Sequence, residues 1–159
     1  KFDYIQGRIF SFFNRETGTH NFQSDKAIES ITSGGFFGKG IGEGVLKNRV
    51  PEAHTDYIIS VISEEFGVVA IMLILLLFLI LIYMVFKKIS FETNDKVKLI
   101  LIGSISLILM QATIHVGVNI RLFPTTGMTL PFLSYGGSSI ISTSILAGII
   151  LNLTKRKIT

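Results

Sequence analysis

Residues 66–86 read FGVVAIMLILLLFLILIYMVF, twenty-one residues without a charge. A helix rises about 1.5 Å per residue, so about 20 apolar residues are enough to cross a bilayer core. A second uncharged run, 99–120, is broken in character only by Gln111 and His115. A third, 122–154, has turn residues in its first part and an apolar stretch over 139–153. The pattern predicts an all-α, polytopic membrane protein with spans at 57–86, 99–120 and 135–153. Around them lie a long segment 1–56, loops 87–98 and 121–134, and a tail 154–159.

Charge orients these spans. The chain carries a formal net charge of +4 and no Cys, so it offers neither a disulfide framework nor a thiolate metal site. The basic surplus is local. Lys87, Lys88, Lys96 and Lys98 stand against Glu92 and Asp95 in one loop, and Lys155, Arg156 and Lys157 crowd the tail. Basic residues flanking spans mark cytoplasmic loops, not a nucleic-acid surface. Loop 87–98 and the C-terminus are therefore expected in the cytoplasm, which puts 1–56 and 121–134 on the outer face. A site there works without ATP. The start at Lys1, with about a third of the chain before the first span, suggests a piece of a longer protein.

Within the outer segment, Ile5, Ile9, Phe12 and Phe13 recur at helical spacing in residues 1–13, the pattern of a short interfacial amphipathic helix. Residues 14–24 read as a polar loop and 25–33 as two helical turns. Residues 34–44, GGFFGKGIGEG, hold six glycines and cannot sustain a helix. The glycines do not form a nucleotide loop. A phosphate-binding P-loop would need Gly where Ser33 stands and Ser or Thr after Lys39, and a dinucleotide fingerprint would need Gly where Glu43 stands. The stretch is either a flexible loop or a place where backbone approaches a ligand closely, with Lys39 available for a phosphate.

Pro51-Glu52-Ala53-His54-Thr55-Asp56 puts three proton- or metal-binding side chains within five residues. Extended, 52, 54 and 56 share one side and could hold a divalent cation. Asp56 could instead be a catalytic carboxylate, and Thr55 or Asp56 could cap the first span. Glu64 and Glu65 belong at headgroup depth, where they are either solvated acids or supporting groups. Arg121, the sole cation of its loop, suits either lipid headgroups or a diphosphate. His115 is expected near the outer interface or bonded to another helix. Residues 124–139, PTTGMTLPFLSYGGSS, hold two prolines and three glycines, so the backbone there is irregular and must be covered by protein or a wet cavity. Gly136, Gly137, Ser138 and Ser139 permit close helix packing.

SGGFFGKGIGEG (33–44), PEAHTDYIISVISEEFG (51–67) and PTTGMTLPFLSYGGSS (124–139) together resemble the SEDS family of shape, elongation, division and sporulation proteins. Ala53 before His-Thr-Asp and the PTTGMTLP form are similar to its division branch. The elongation branch more often has Arg at the position of Ala53. The resemblance covers essentially the whole chain and implies the C-terminal part of a ten-span fold, inactive in isolation.

The resemblance further implies peptidoglycan glycosyl transfer on the outer face of the bacterial cytoplasmic membrane, at the division septum. Lipid II is polymerised into glycan strands and undecaprenyl diphosphate is released. The family's essential outer-loop Asp matches Asp56. Substrate-binding candidates are Lys39, Lys47, Arg49 and Arg121 for the diphosphate, with Gly34, Gly35, Ser134, Gly136 and Gly137. Glu52, His54, Glu64 and Glu65 are supporting or metal-binding candidates, for Mg²⁺ or another divalent cation. Implied partners are the growing glycan strand, membrane lipids, a class B penicillin-binding protein and other division proteins. Two rival roles are a lipid II flippase and a septal scaffold. The spans offer only His115 as an ionisable lining for a flipping path.

Overall fold

The computed structural model describes residues 19–50 and 53–155, with the side chains of 19–21, 47 and 48 left out. Five helices follow in order: α1 Thr19–Gly34, α2 Leu46–Arg49, α3 Ile58–Phe91, α4 Asp95–Asn119 and α5 Gly137–Thr154. The expected helix at 1–13 lies outside the described residues. Three helices, α3, α4 and α5, are long and apolar enough to cross a membrane. The turn between α3 and α4 is short, so the two run antiparallel as neighbours. Asn94 starts α4 by accepting the Lys96 N–H through its side chain, with Asp95 in the first turn where the helix dipole favours an acid.

Besides a small apolar cluster of Ile59, Ala112 and Leu130, the described residues form two larger apolar cores. One joins Val85, Leu101, Ile105, Ile108 and Ile150 from α3, α4 and α5. The other joins Ala27, Leu46, Val50, Ala53, Tyr57, Val61 and Val118, so it ties α1, α2 and the turn before α3 to the last turn of α4. Arg121 adds an ion pair to Asp25 across that same end. Residues 19–57 and the 121–136 loop therefore sit together at one end of the spans, opposite the 92–94 turn. Much of α3 beyond this end, including Met72, Leu73, Leu76, Leu77 and Leu79, is exposed, as suits a helix bathed in lipid or covered by further helices.

Two sequence expectations are corrected. Residues 14–24 do not form one polar loop, because α1 is helical from Thr19. Burial of Ala27 and Ser30, three residues apart, gives the reason: one face of a mostly polar helix docks on the cap core. Nor does Thr55 or Asp56 take the N-cap of the first span. The N-cap is Tyr57, which makes no side-chain cap bond.

The glycine-rich segment is not a free loop. Helix α3 is broken at Gly67, with φ 79° and ψ −179°. In an unbroken helix the Val68 and Val69 N–H groups would bond the Glu64 and Glu65 carbonyls. Instead, Val68 N donates to Gly35 O at 3.0 Å and Val69 N to Phe36 O at 3.4 Å. The freed carbonyls accept from the same loop: Lys39 N to Glu64 O at 2.8 Å, and Gly40 N to Glu65 O at 3.1 Å. Residues 35–40 thus insert into the break and satisfy both of its sides, as buried backbone requires. The close backbone approach expected of these glycines is real, and its target is α3.

Candidate functional site

The turn Ala53–Tyr57 carries the acid of interest, and its main chain is held from two directions. Three successive carbonyls each have their own donor. Tyr135 N donates to His54 O at 3.1 Å, Ser134 Oγ to Thr55 O at 2.8 Å, and Asn119 Nδ2 to Asp56 O at 2.9 Å. Ser134 is itself fixed, since its Oγ accepts the Leu130 N–H at 2.8 Å. Asp56 is buried to 7% exposure, whereas His54 in the same turn is exposed.

The donors trace to one face of α4. Gln111, His115 and Asn119 lie four residues apart and so share a side of the helix. Gln111 Nε2 donates to Thr129 O at 2.9 Å and to Ser139 Oγ at 3.0 Å. His115 Nδ1 pairs with Met128 O at 2.8 Å, which implies a proton on Nδ1. His115, one turn from the end of α4, is therefore bonded to the loop and not to another helix among the described residues. It is fully buried and holds the irregular loop. The polar stripe supplies partners for backbone that no regular structure satisfies, as membrane depth demands.

A cavity of about 420 Å³ opens beside this loop, lined in part by Gln111, Gly127, Thr129, Ser138, Ser139 and Ser142. Gly127 joins it to the acid: a Cβ built there would lie 3.9 Å from Asp56 Oδ2. The buried Asp56 carboxylate thus lies behind Gly127, next to a cavity whose lining mixes these polar groups with Leu107, Met110, Met128 and Leu146. The cavity of about 500 Å³ between α3 and α4 is almost wholly apolar.

The cations cluster elsewhere. Lys39 Nζ bonds Glu64 Oε1 at 2.9 Å, and Leu46 N donates to Glu64 Oε2 at 2.9 Å. Glu64 is buried, so it is not a solvated interfacial acid, and Glu65 is half-buried. Lys26, Lys39 and Arg49, with Glu29 and Glu64, line a polar cavity of about 150 Å³. The hydrogen bond from Lys26 holds the Glu29 carboxyl below the usual carboxylate range. Breaking the Lys39–Glu64 pair from one side strands a buried charge. Lys39→Met is expected to destabilise the protein by about 1–3 kcal/mol, scaled down because the Lys39 side chain is 36% exposed. Lys39→Met with Glu64→Gln should regain part of that loss, read as melting temperature in detergent.

The structure brings Asp56 and Ser134 together, and leaves the other expected residues apart from them. Gly34 packs its Cα against the Ser63 backbone, where a Cβ would meet Ser63 O at 2.0 Å. Gly35 bonds the α3 break, Arg121 is engaged by Asp25, Gly136 precedes α5 as its N-cap, and Gly137 begins α5 in open space. The Lys47 side chain and all of Glu52 lie outside the described residues. Among those described, no group of three or more His, Asp or Glu comes together as a metal site. Glu64 is committed to Lys39 and Leu46, and Glu52, which the expected divalent-cation set of Glu52, His54, Glu64 and Glu65 requires, lies outside the described residues. Sequence reasoning missed Asn119. Its four-residue spacing from His115 and Gln111 was the available signal.

Three helices long and apolar enough to cross a membrane, with an acid-bearing turn clamped at one end of them, define a multi-pass membrane protein. The chain belongs to the FTSW_RODA_SPOVE family of cell cycle proteins, which it matches over residues 1–158. It is 37% identical over 99% of its length to a probable peptidoglycan glycosyltransferase FtsW of Enterococcus hirae. It is 38% identical over 98% of its length to that of Caulobacter vibrioides. It spans about 40% of the length of each of these relatives. A solved structure of a peptidoglycan synthase complex, concerned with coordinating polymerization and crosslinking, superposes with a TM-score of 0.72 at 28% identity. That match covers 95% of this chain and 41% of the other.

Proposed function

We propose that the protein containing this chain is a division-type peptidoglycan glycosyltransferase that polymerises lipid II, with Asp56 as its general base. The observation that carries this reading is the buried Asp56 carboxylate, held in a clamped turn behind Gly127, which lines a cavity carrying four hydroxyl side chains. The charge pattern supports an outer-face location for that end and a cytoplasmic C-terminus, and likeness to division-type relatives supports the septum as the protein's place.

The chemistry asks little else of the site. The acceptor 4-hydroxyl attacks the anomeric carbon of the donor, and the bond from that carbon to the lipid diphosphate breaks. The hydroxyl proton passes to the Asp56 carboxylate. The diphosphate leaves without needing a proton, so a single carboxylate suffices where glycosidases use two. Positive charge favours its departure, and Arg49, on the cavity it shares with Lys26 and Lys39, is a candidate source. Lys26, Lys39 and Arg121 are each engaged by an acid. The solved synthase complex supports a crosslinking partner of the penicillin-binding class.

The test is polymerisation of labelled lipid II by the purified full-length protein, read as glycan strand length. Failure to extend strands under conditions that support wild-type relatives, with lipid II flipping intact in vesicles, would transfer the reading to a transporter.

A further inference from the structure

We propose that Asn119 is the positioning residue of Asp56, an inference that rests on the base assignment above. Asn119 is fully buried at the last turn of α4 and uses its whole hydrogen-bonding capacity. Its Nδ2 donates to His115 O and to Asp56 O, both at 2.9 Å. Its Oδ1 accepts from Ser60 N at 3.2 Å and from Ser60 Oγ at 2.8 Å.

Each bond has a separate consequence. The bond to His115 O, one turn back on the same helix, fixes the plane of the amide. That aims the second N–H at Asp56 O and leaves no freedom to flip. The bond from Ser60 N satisfies one of the orphan donors in the first turn of α3. Asn119 therefore caps α3 from another helix, which accounts for the missing side-chain cap at Tyr57. Asp56 and Ser60 flank the start of α3, so one amide fixes both the peptide that carries the base and the helix that follows it. Ser134 and Tyr135 hold His54 and Thr55 but not Asp56 itself. Asn119 alone among the described residues grips the Asp56 carbonyl with a side chain. A general base works only at hydrogen-bond reach of its proton, and a misplacement of about 1 Å costs about 100-fold in rate.

The experiment measures steady-state lipid II polymerisation and melting temperature for the full-length protein. The variants are Asn119→Ala, Asn119→Asp, Ser60→Ala and Asp56→Asn. Asn119→Ala and Asn119→Asp should lose about 100-fold in kcat with KM within about threefold, because the reacting geometry fails and not the ground-state binding. Asn119→Asp keeps the shape but turns a carboxyl oxygen toward the His115 and Asp56 carbonyls, so its melting temperature should fall too, and kcat is compared well below it. Ser60→Ala leaves the Ser60 N–H bond in place and should retain kcat within about threefold. Wild-type kcat in Asn119→Ala, beside an inactive Asp56→Asn, would overturn the positioning role and leave the base assignment standing. A fall in kcat that is fully recovered by cooling below a lowered melting temperature would overturn it in favour of a purely structural role. Wild-type turnover in Asp56→Asn would remove the base assignment and the positioning role together.

Discussion

Asp56→Asn in the full-length protein is expected to lower lipid II polymerisation by about 100- to 10,000-fold, the span a general base contributes. The substitution preserves side-chain shape. The main-chain bonds that hold residue 56 and its neighbours, from Asn119, Ser134 and Tyr135, do not involve the carboxylate. The fold of the turn should therefore survive and the loss should fall on kcat. His54 offers the contrast. It lies within the same ionisable stretch, but its imidazole is exposed and the turn uses only its carbonyl. His54→Ala should stay within about threefold of wild type. Comparable losses in both variants would mean that the turn acts as a unit and that Asp56 holds no special role. Wild-type turnover in Asp56→Asn would exclude proton transfer to this carboxylate.

Much of the architecture was legible because lipid imposes a simple rule on sequence. Residues 66–86 admit no charge, and a run of that length has one common structural outcome. Irregular backbone in 124–139 was legible for a related reason, from its prolines and glycines. The start of α3 was legible as well, since the span expected from residue 57 begins at Ile58. The break inside it at Gly67 was not, because residues 35–40 supply the hydrogen bonds that a continuous helix would make there. Periodicity describes one segment at a time and cannot register bonds supplied by another. The same limit applies at the site. Asp56 stood out as an acid before a span, but Asn119, which holds its carbonyl, lies 63 positions away, and Ser134 lies 79 positions from Thr55, whose carbonyl it holds. Lys39 was legible as a cation beside glycines. That Glu64 neutralises it depends on the loop folding back on α3.

That folding back makes Gly67→Ala the substitution with the largest expected structural effect. At φ 79° and ψ −179° the residue occupies a region open essentially to glycine alone. A Cβ would stand 2.2 Å from Phe36 O and 2.6 Å from Gly38 N, backbone atoms that cannot rotate aside. Relief requires expelling the loop, which strands the four carbonyls and N–H groups that now pair across the break, or straightening α3, which leaves residues 35–40 unpaired. Either outcome should cost on the order of 4–5 kcal/mol, at the upper end for single substitutions. Gly35→Asn is the matched control. Its φ of 59° falls in the left-handed region that Asn tolerates, and nothing lies within 4 Å of a Cβ there. It should cost about 1 kcal/mol or less. Thermal melting of the full-length protein in detergent separates the two. Equal melting temperatures for Gly67→Ala and wild type would mean that the break is incidental. A large drop confined to Gly67→Ala would establish that the glycine-rich loop is held as part of α3. Because Lys39 reaches Glu64 only from that docked loop, Gly67→Ala should also disperse the cationic cavity and reduce polymerisation even at temperatures where the spans remain folded.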